Sequence, residues 1–201
     1  MGMISRFDLA RIKKETGISH FVETGTWYGD SSNYALNSGY TVETCEINGK
    51  FHFIAEDRFK HRPEVKVLQL PSFKFLPIAE EQRAAVFWLD AHMPNLYIHE
   101  EEGIRFSDEI ILPLEGELNL IKAKQNFSRS IIIIDDVRIY ADFYGMTGNK
   151  SKPINPFNIT EWFKANASEH IVITSQKDEG YLIAIPKEHD KIARQVWFVP
   201  D

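Results

Sequence analysis

With 201 residues, 43% of them hydrophobic and 26% charged, the chain can bury one α/β core, and no break in composition divides it, so a single domain over 1–201 is expected. Its formal charge of −6 argues against a nucleic-acid partner, since a broad phosphate-binding face needs clustered Lys and Arg. A single cysteine excludes a disulfide within the chain, and the lack of a signal-like apolar core or a membrane-length apolar stretch points to a cytoplasmic protein with no membrane partner.

In chain order, the first strand is HFVET at 20–24, followed by a glycine-punctuated turn and a helix that Asp30 or Ser31 can cap. TVETCEI at 41–47 is the second strand, with Cys45 buried in it, and Arg58, Lys60, His61 and Arg62 read as a solvated helix end. VKVLQL at 65–70 and AAVFWLD at 84–90 follow. Ile110, Ile111, Leu114, Leu118 and Ile121 recur at helical period, with Pro113 leaving the start of that helix open, and SIIIIDD at 130–136 is the fifth strand. After an irregular stretch from Val137 to Asn155, a helix over 159–166 leads to strands HIVITS at 170–175 and YLIAIP at 181–186. Only Gln176 to Gly180 separates these two, which is too short for a parallel crossover, so they form an antiparallel hairpin. Strands alternating with helices give a mostly parallel sheet covered by helices, with one reversed strand near an edge.

The turn in HFVETGTWYGDS carries the most chemistry. Gly25 and Gly29 can take backbone angles closed to other residues and let a ligand approach the main chain. They stand four apart with Trp27 between them, so this is not the G-x-G-x-x-G fingerprint, and no Lys follows Gly29 as a Walker loop would require. A cofactor without phosphates suits such a turn better, with Glu23 placed to meet hydroxyls or a cation.

The segments VETGTWYGDSS, FWLDAH and IIIIDD, in this order and spacing, resemble class I S-adenosylmethionine (SAM)-dependent methyltransferases, and most of all small bacterial members with an E-T-G-T turn. The resemblance spans roughly 15–186. It implies a Rossmann-like three-layer sandwich whose seven-stranded, mostly parallel sheet has an antiparallel last strand, with SAM as cofactor. Glu23, Gly25, Thr26, Gly29 and Ser31 would line its methionine and ribose, Asp90 would border it, and Glu46 would accept hydrogen bonds from both ribose hydroxyls. Many members carry an acidic residue after the third strand for the adenine amino group. Here Pro71 and Ser72 stand there, leaving Ser72 to meet the base and Phe73 or Phe75 either to stack on it or to join the core.

Asp90, Asp135 and Asp136 end neighbouring parallel strands and should converge at one rim, where like charges need a cation or protons to offset them. The resemblance implies Mg²⁺ on these three residues, with Asp90 catalytic, and O-methylation of a small hydroxylated acceptor, a sugar or a secondary metabolite; His92, two residues after Asp90, is the candidate catalytic general base because an imidazole ordinarily titrates near neutrality. That acceptor would lie between loops 92–107 and 140–157. Beside this stand plainer readings: Asp135 or Asp136 caps the next segment or pairs with Arg138, His92 holds its loop, and HEEEG at 99–103 is solvated. A non-catalytic binding protein on the same fold is the alternative function. Trp197 and Phe198 in the C-terminal KIARQVWFVPD pack back on the sheet or meet another copy in a homo-oligomer.

Overall fold

Short apolar runs separated by helices can bury both faces only inside a sheet layered by helices on either side. The computed structural model, which describes residues 3–92, 112–140, 157–178 and 180–193, has this arrangement. Strands β1 (His20–Thr24), β2 (Thr41–Cys45), β3 (Val65–Leu68), β4 (Ala85–Leu89), β5 (Ile131–Ile134), β6 (His170–Ser175) and β7 (Tyr181–Pro186) form one seven-stranded sheet in the order β3-β2-β1-β4-β5-β7-β6. All neighbours pair in parallel except β7, which runs antiparallel to both β5 and β6.

Alternation along each strand divides the core between the two faces. Val22, Phe87, Ile132 and Leu182 pack with Leu114, Leu118 and Ile121 of α5 (Leu114–Lys122) and with Ile159, Trp162 and Phe163 of α6 (Ile159–Asn166). Phe21, Val86, Trp88 and Ile133 pack on the other face with Leu9 and Ile12 of α1 (Leu9–Thr16), Ala35 and Leu36 of α2 (Asp30–Asn37) and Phe59 of α3 (Gly49–Phe59). Each large side chain taken from water this way contributes about 1.5–3 kcal/mol.

Helix ends follow their capping residues. Asp8 accepts from Arg11 N at the start of α1, Asn48 from Lys50 N at α3, and Asn158 from Glu161 N at α6. The cap expected of Asp30 or Ser31 is not made: Gly29 (φ 80°) occupies the N-cap of α2, and Asp30 instead accepts from Arg58, 2.7 Å away. Arg58 thereby fastens α3 to the β1–α2 turn and is not simply a solvated helix end.

Four expected strands are shorter at their C-terminal ends. Glu46, Asp90, Asp135 and Asp136 lie just past β2, β4 and β5, and the amides of Glu46, Asp90 and Asp135 still donate to Leu68, Thr24 and Leu89 of the neighbouring strands, which fixes these residues at the C-terminal rim of the sheet. Among the described residues no helix is long and apolar enough to cross a membrane. Residues 93–111, 141–156 and 194–201, which carry the expected acceptor loops, HEEEG and the C-terminal aromatics, lie outside the described residues.

Candidate functional site

The β1–α2 turn folds over the ends of β2 and β4. Gly25 has φ 85°, and a Cβ there would stand 2.4 Å from the Asp90 carbonyl oxygen; at Gly29 it would stand 2.6 Å from the Phe59 ring. The close neighbours of both glycines are therefore protein atoms. The Gly25 and Thr26 amides both donate to the Cys45 carbonyl at 3.1 Å, which clamps the turn onto β2. Trp27 is held at φ 50°, an uncommon conformation for a bulky residue, and its indole stacks on Phe51 with centroids 4.5 Å apart while Tyr28 meets Phe51 edge-on.

Two carboxylates flank this turn. Glu46 Oε2 accepts from Trp27 N at 2.9 Å and Oε1 from Asn48 N at 2.8 Å, so main-chain donors on either side fix its orientation. Burial raises its pKa against the pull of these amides. Glu23 is fully buried, and its Oε2 accepts from Ser32 (2.5 Å) and Thr44 (2.8 Å), with the Thr26 hydroxyl 2.5 Å behind Thr44. Its Oε1 has no partner. Burial pushes Glu23 up to about 7 despite the hydroxyls of Ser32, Thr44 and Ser31.

Past β4 and β5, the expected carboxylates share one rim. His92 Nε2 lies 2.9 Å from Asp136 Oδ2 and His92 Nδ1 lies 3.4 Å from Asp90 Oδ1, while Arg138 Nε reaches Asp136 Oδ1 at 2.8 Å. Asp136, in a left-handed conformation (φ 54°), donates its own N–H to Asp135 Oδ1 at 2.7 Å. Desolvation raises Asp90 against the pull of His92, with Asp135, Glu23 and Asp136 adding like charge. Burial pulls His92 down, but the hydrogen bond to Asp136 and the charges of Asp90, Asp136 and Asp135 outweigh it and hold the imidazole at about 9.

No protein-family profile matches the chain, and the curated proteins include no match to its sequence. Solved structures do match. A methyltransferase of Podospora anserina solved with SAH bound is 18% identical, with a TM-score of 0.59 over 89% of this chain and 76% of that one. An O-methyltransferase of Streptomyces achromogenes involved in tomaymycin synthesis, in complex with SAM, is 16% identical, with a TM-score of 0.57 over 89% and 77%. An O-methyltransferase of Bacillus cereus in complex with SAH is 20% identical, with a TM-score of 0.54 over 89% and 79%. The chain has the class I methyltransferase fold.

Within that fold, Glu23, Gly25, Thr26, Gly29, Ser31 and Glu46 lie at the C-terminal ends of β1 and β2 and in the turn after β1, and Asp90, His92, Asp135 and Asp136 at the C-terminal ends of β4 and β5. The methyltransferase fold buries Ser72 at the start of α4 (Ser72–Phe75), puts Phe75 in the core and leaves Phe73 exposed. Cys45 is buried, and burial raises its thiol well above the ordinary range, so it is no nucleophile.

One residue escaped the sequence reading. Glu117 of α5 is buried, its Oε1 has no partner, and burial raises it to about 7 although Ser72, Thr24 and His92 favour its ionised form. Its signal was its position: it stands three residues after Leu114 and four before Ile121, on the apolar stripe itself.

Proposed function

We propose that the chain is a SAM-dependent methyltransferase that methylates the hydroxyl oxygen of a small acceptor. The observation that carries this reading is Glu46, oriented by two main-chain amides beside the β1 turn in a methyltransferase fold. A carboxylate has about four lone-pair sites, so two amides leave it able to accept from a vicinal diol such as a ribose. Glu23, Thr26 and Ser31 border the same bend.

When bound, SAM supplies an electrophilic methyl carbon on a positive sulfur. The chain's residues would then hold the acceptor oxygen in line and take its proton, and alignment of this kind lowers barriers by several kcal/mol. His92 is the assigned proton acceptor: its Nε2 lies 2.9 Å from Asp136 and its Nδ1 3.4 Å from Asp90, so the ring accepts only once it has lost a proton and the Asp136 contact has opened. Since only the neutral imidazole can accept a proton and the ring is held at about 9, turnover should rise as pH is raised from 7 towards 9. A rate that is flat or falls over that range removes His92 from the role.

The expected Mg²⁺ is not part of this reading. Among the described residues no three His, Cys, Asp or Glu side chains come together as a metal-binding group, and both Asp136 oxygens face cationic side chains while Asp135 Oδ1 accepts an amide. Turnover should therefore be insensitive to chelators.

Acceptor class follows the O-methyltransferases that share the fold, and sugars and secondary metabolites are the first panel to test by release of SAH. The alternative, a non-catalytic binding protein, is favoured by Pro71 and Ser72 where an adenine-binding acid was expected. SAM binding without turnover across the panel would support that alternative.

A further inference from the structure

The resemblance implies a divalent ion on Asp90, Asp135 and Asp136, and the geometry at these residues disagrees with it. Hard cations bind through oxygen lone pairs, several at once. Here each Asp136 oxygen faces a nitrogen of the chain itself, Oδ2 the His92 ring at 2.9 Å and Oδ1 the Arg138 guanidinium at 2.8 Å, the latter as a close ion pair in which the buried Oδ1 accepts no aligned hydrogen bond. Asp135 Oδ1 accepts the Asp136 N–H at 2.7 Å. Asp90 faces the second ring nitrogen of His92 at 3.4 Å.

A ring whose two nitrogens both face carboxylates serves them best with a proton on each nitrogen, and a guanidinium keeps its charge throughout. An incoming divalent ion would have to displace both groups or sit beside them against like charge. We infer that this rim takes no divalent cation: His92 and Arg138 occupy the ion's place, offset the charge of the carboxylates, and hold Asp90 and Asp136 in position. The acceptor oxygen is then positioned by hydrogen bonds and not by coordination.

The inference concerns the same site as the methyl-transfer reading, but its test needs no cofactor. Mn²⁺ is titrated into the ligand-free full chain, with calorimetry or the manganese resonance signal as readout and thermal unfolding as a check on folding. The wild-type chain should take up no ion at millimolar concentrations. The His92→Ala/Arg138→Ala double variant should gain one saturable Mn²⁺ site that the wild-type chain lacks over the same concentrations. Arg138→Met alone should show a smaller gain, and serves if the double variant does not fold. One tightly held Mn²⁺ in the wild-type chain that Asp136→Asn abolishes would overturn the inference. So would a folded double variant that gains nothing. Failure of SAM to bind would defeat the methyl-transfer reading and leave these outcomes unaltered.

Discussion

At the scale of single residues, the rim of the sheet carries buried carboxyls that the fold does not fully satisfy. Glu23 and Glu117 each keep one oxygen without a partner, and burial raises both to about 7. For Glu117 the cost of ionisation in the folded state is on the order of 3 kcal/mol above that pH. Glu117→Gln should therefore stabilise the ligand-free protein at pH 8 and leave it nearly unchanged at pH 5, as measured by denaturant unfolding. A loss of stability at pH 8 would mean that the ionised form is needed by a partner. Glu23 was legible beside its glycine turn and Glu46 through the resemblance that places an acid at the end of the second strand, whereas Glu117 sits inside a helix, where sequence gives little notice that an acid is buried.

At the scale of elements, the β1–α2 turn is the joint on which the site depends. Gly25 serves two constraints at once, its positive φ and the approach of the Asp90 carbonyl. Gly25→Ala should cost about 1–3 kcal/mol of stability and move Asp90 as well. Gly29→Ala should cost less, because its obstacle is a ring that can turn aside and not main chain. Thermal unfolding of the two variants ranks them, and equal losses would show that the Asp90 carbonyl yields. The strands themselves were legible from alternation and β-branched runs, and β1, β6, β7 and α6 have the expected bounds. What could not be read was where a strand stops. Polar residues after an apolar run look the same inside the ladder or just beyond it, and here that difference sets the site.

For the whole molecule, the titrating groups at the rim pull stability in one direction. Glu23 and Glu117 at about 7, Asp135 at about 6 and His92 at about 9 all hold protons in the folded chain at pH values where the unfolded chain has released them. Where the unfolded state binds fewer protons, stability falls as pH rises. The carboxyl contributions are lost between about 4 and 7, and the His92 contribution, complete below about 6.5, is lost as pH rises through 9. Asp178, lowered by its hydrogen bond to Arg6, and Asp136, lowered by His92 and Arg138 against burial, work in the opposite sense and weaken the fold only at low pH. His170, lowered by burial, works the other way below about 6.5, so the thermal midpoint of the ligand-free chain should decline from pH 7 to pH 9. A midpoint that rises across that range would contradict the proton placements. Layer order and the single reversed strand were legible at this scale, since a five-residue link permits only a hairpin. At the rim, pairing of Asp135 or Asp136 with Arg138 was one of the readings the sequence offered, but the contact of His92 with the same aspartate was not, because it depends on how the ends of β4 and β5 meet.

The account rests on an adenosyl group lying between the β1 turn and Glu46. Calorimetric titration of SAH into the wild-type chain and its Glu46→Ala variant tests this most directly. The prediction is one-to-one binding by wild type, weakened in the variant by about 1.5–3 kcal/mol for each charge-assisted hydrogen bond lost. Absence of binding by wild type, or equal affinity in the two proteins, would contradict it.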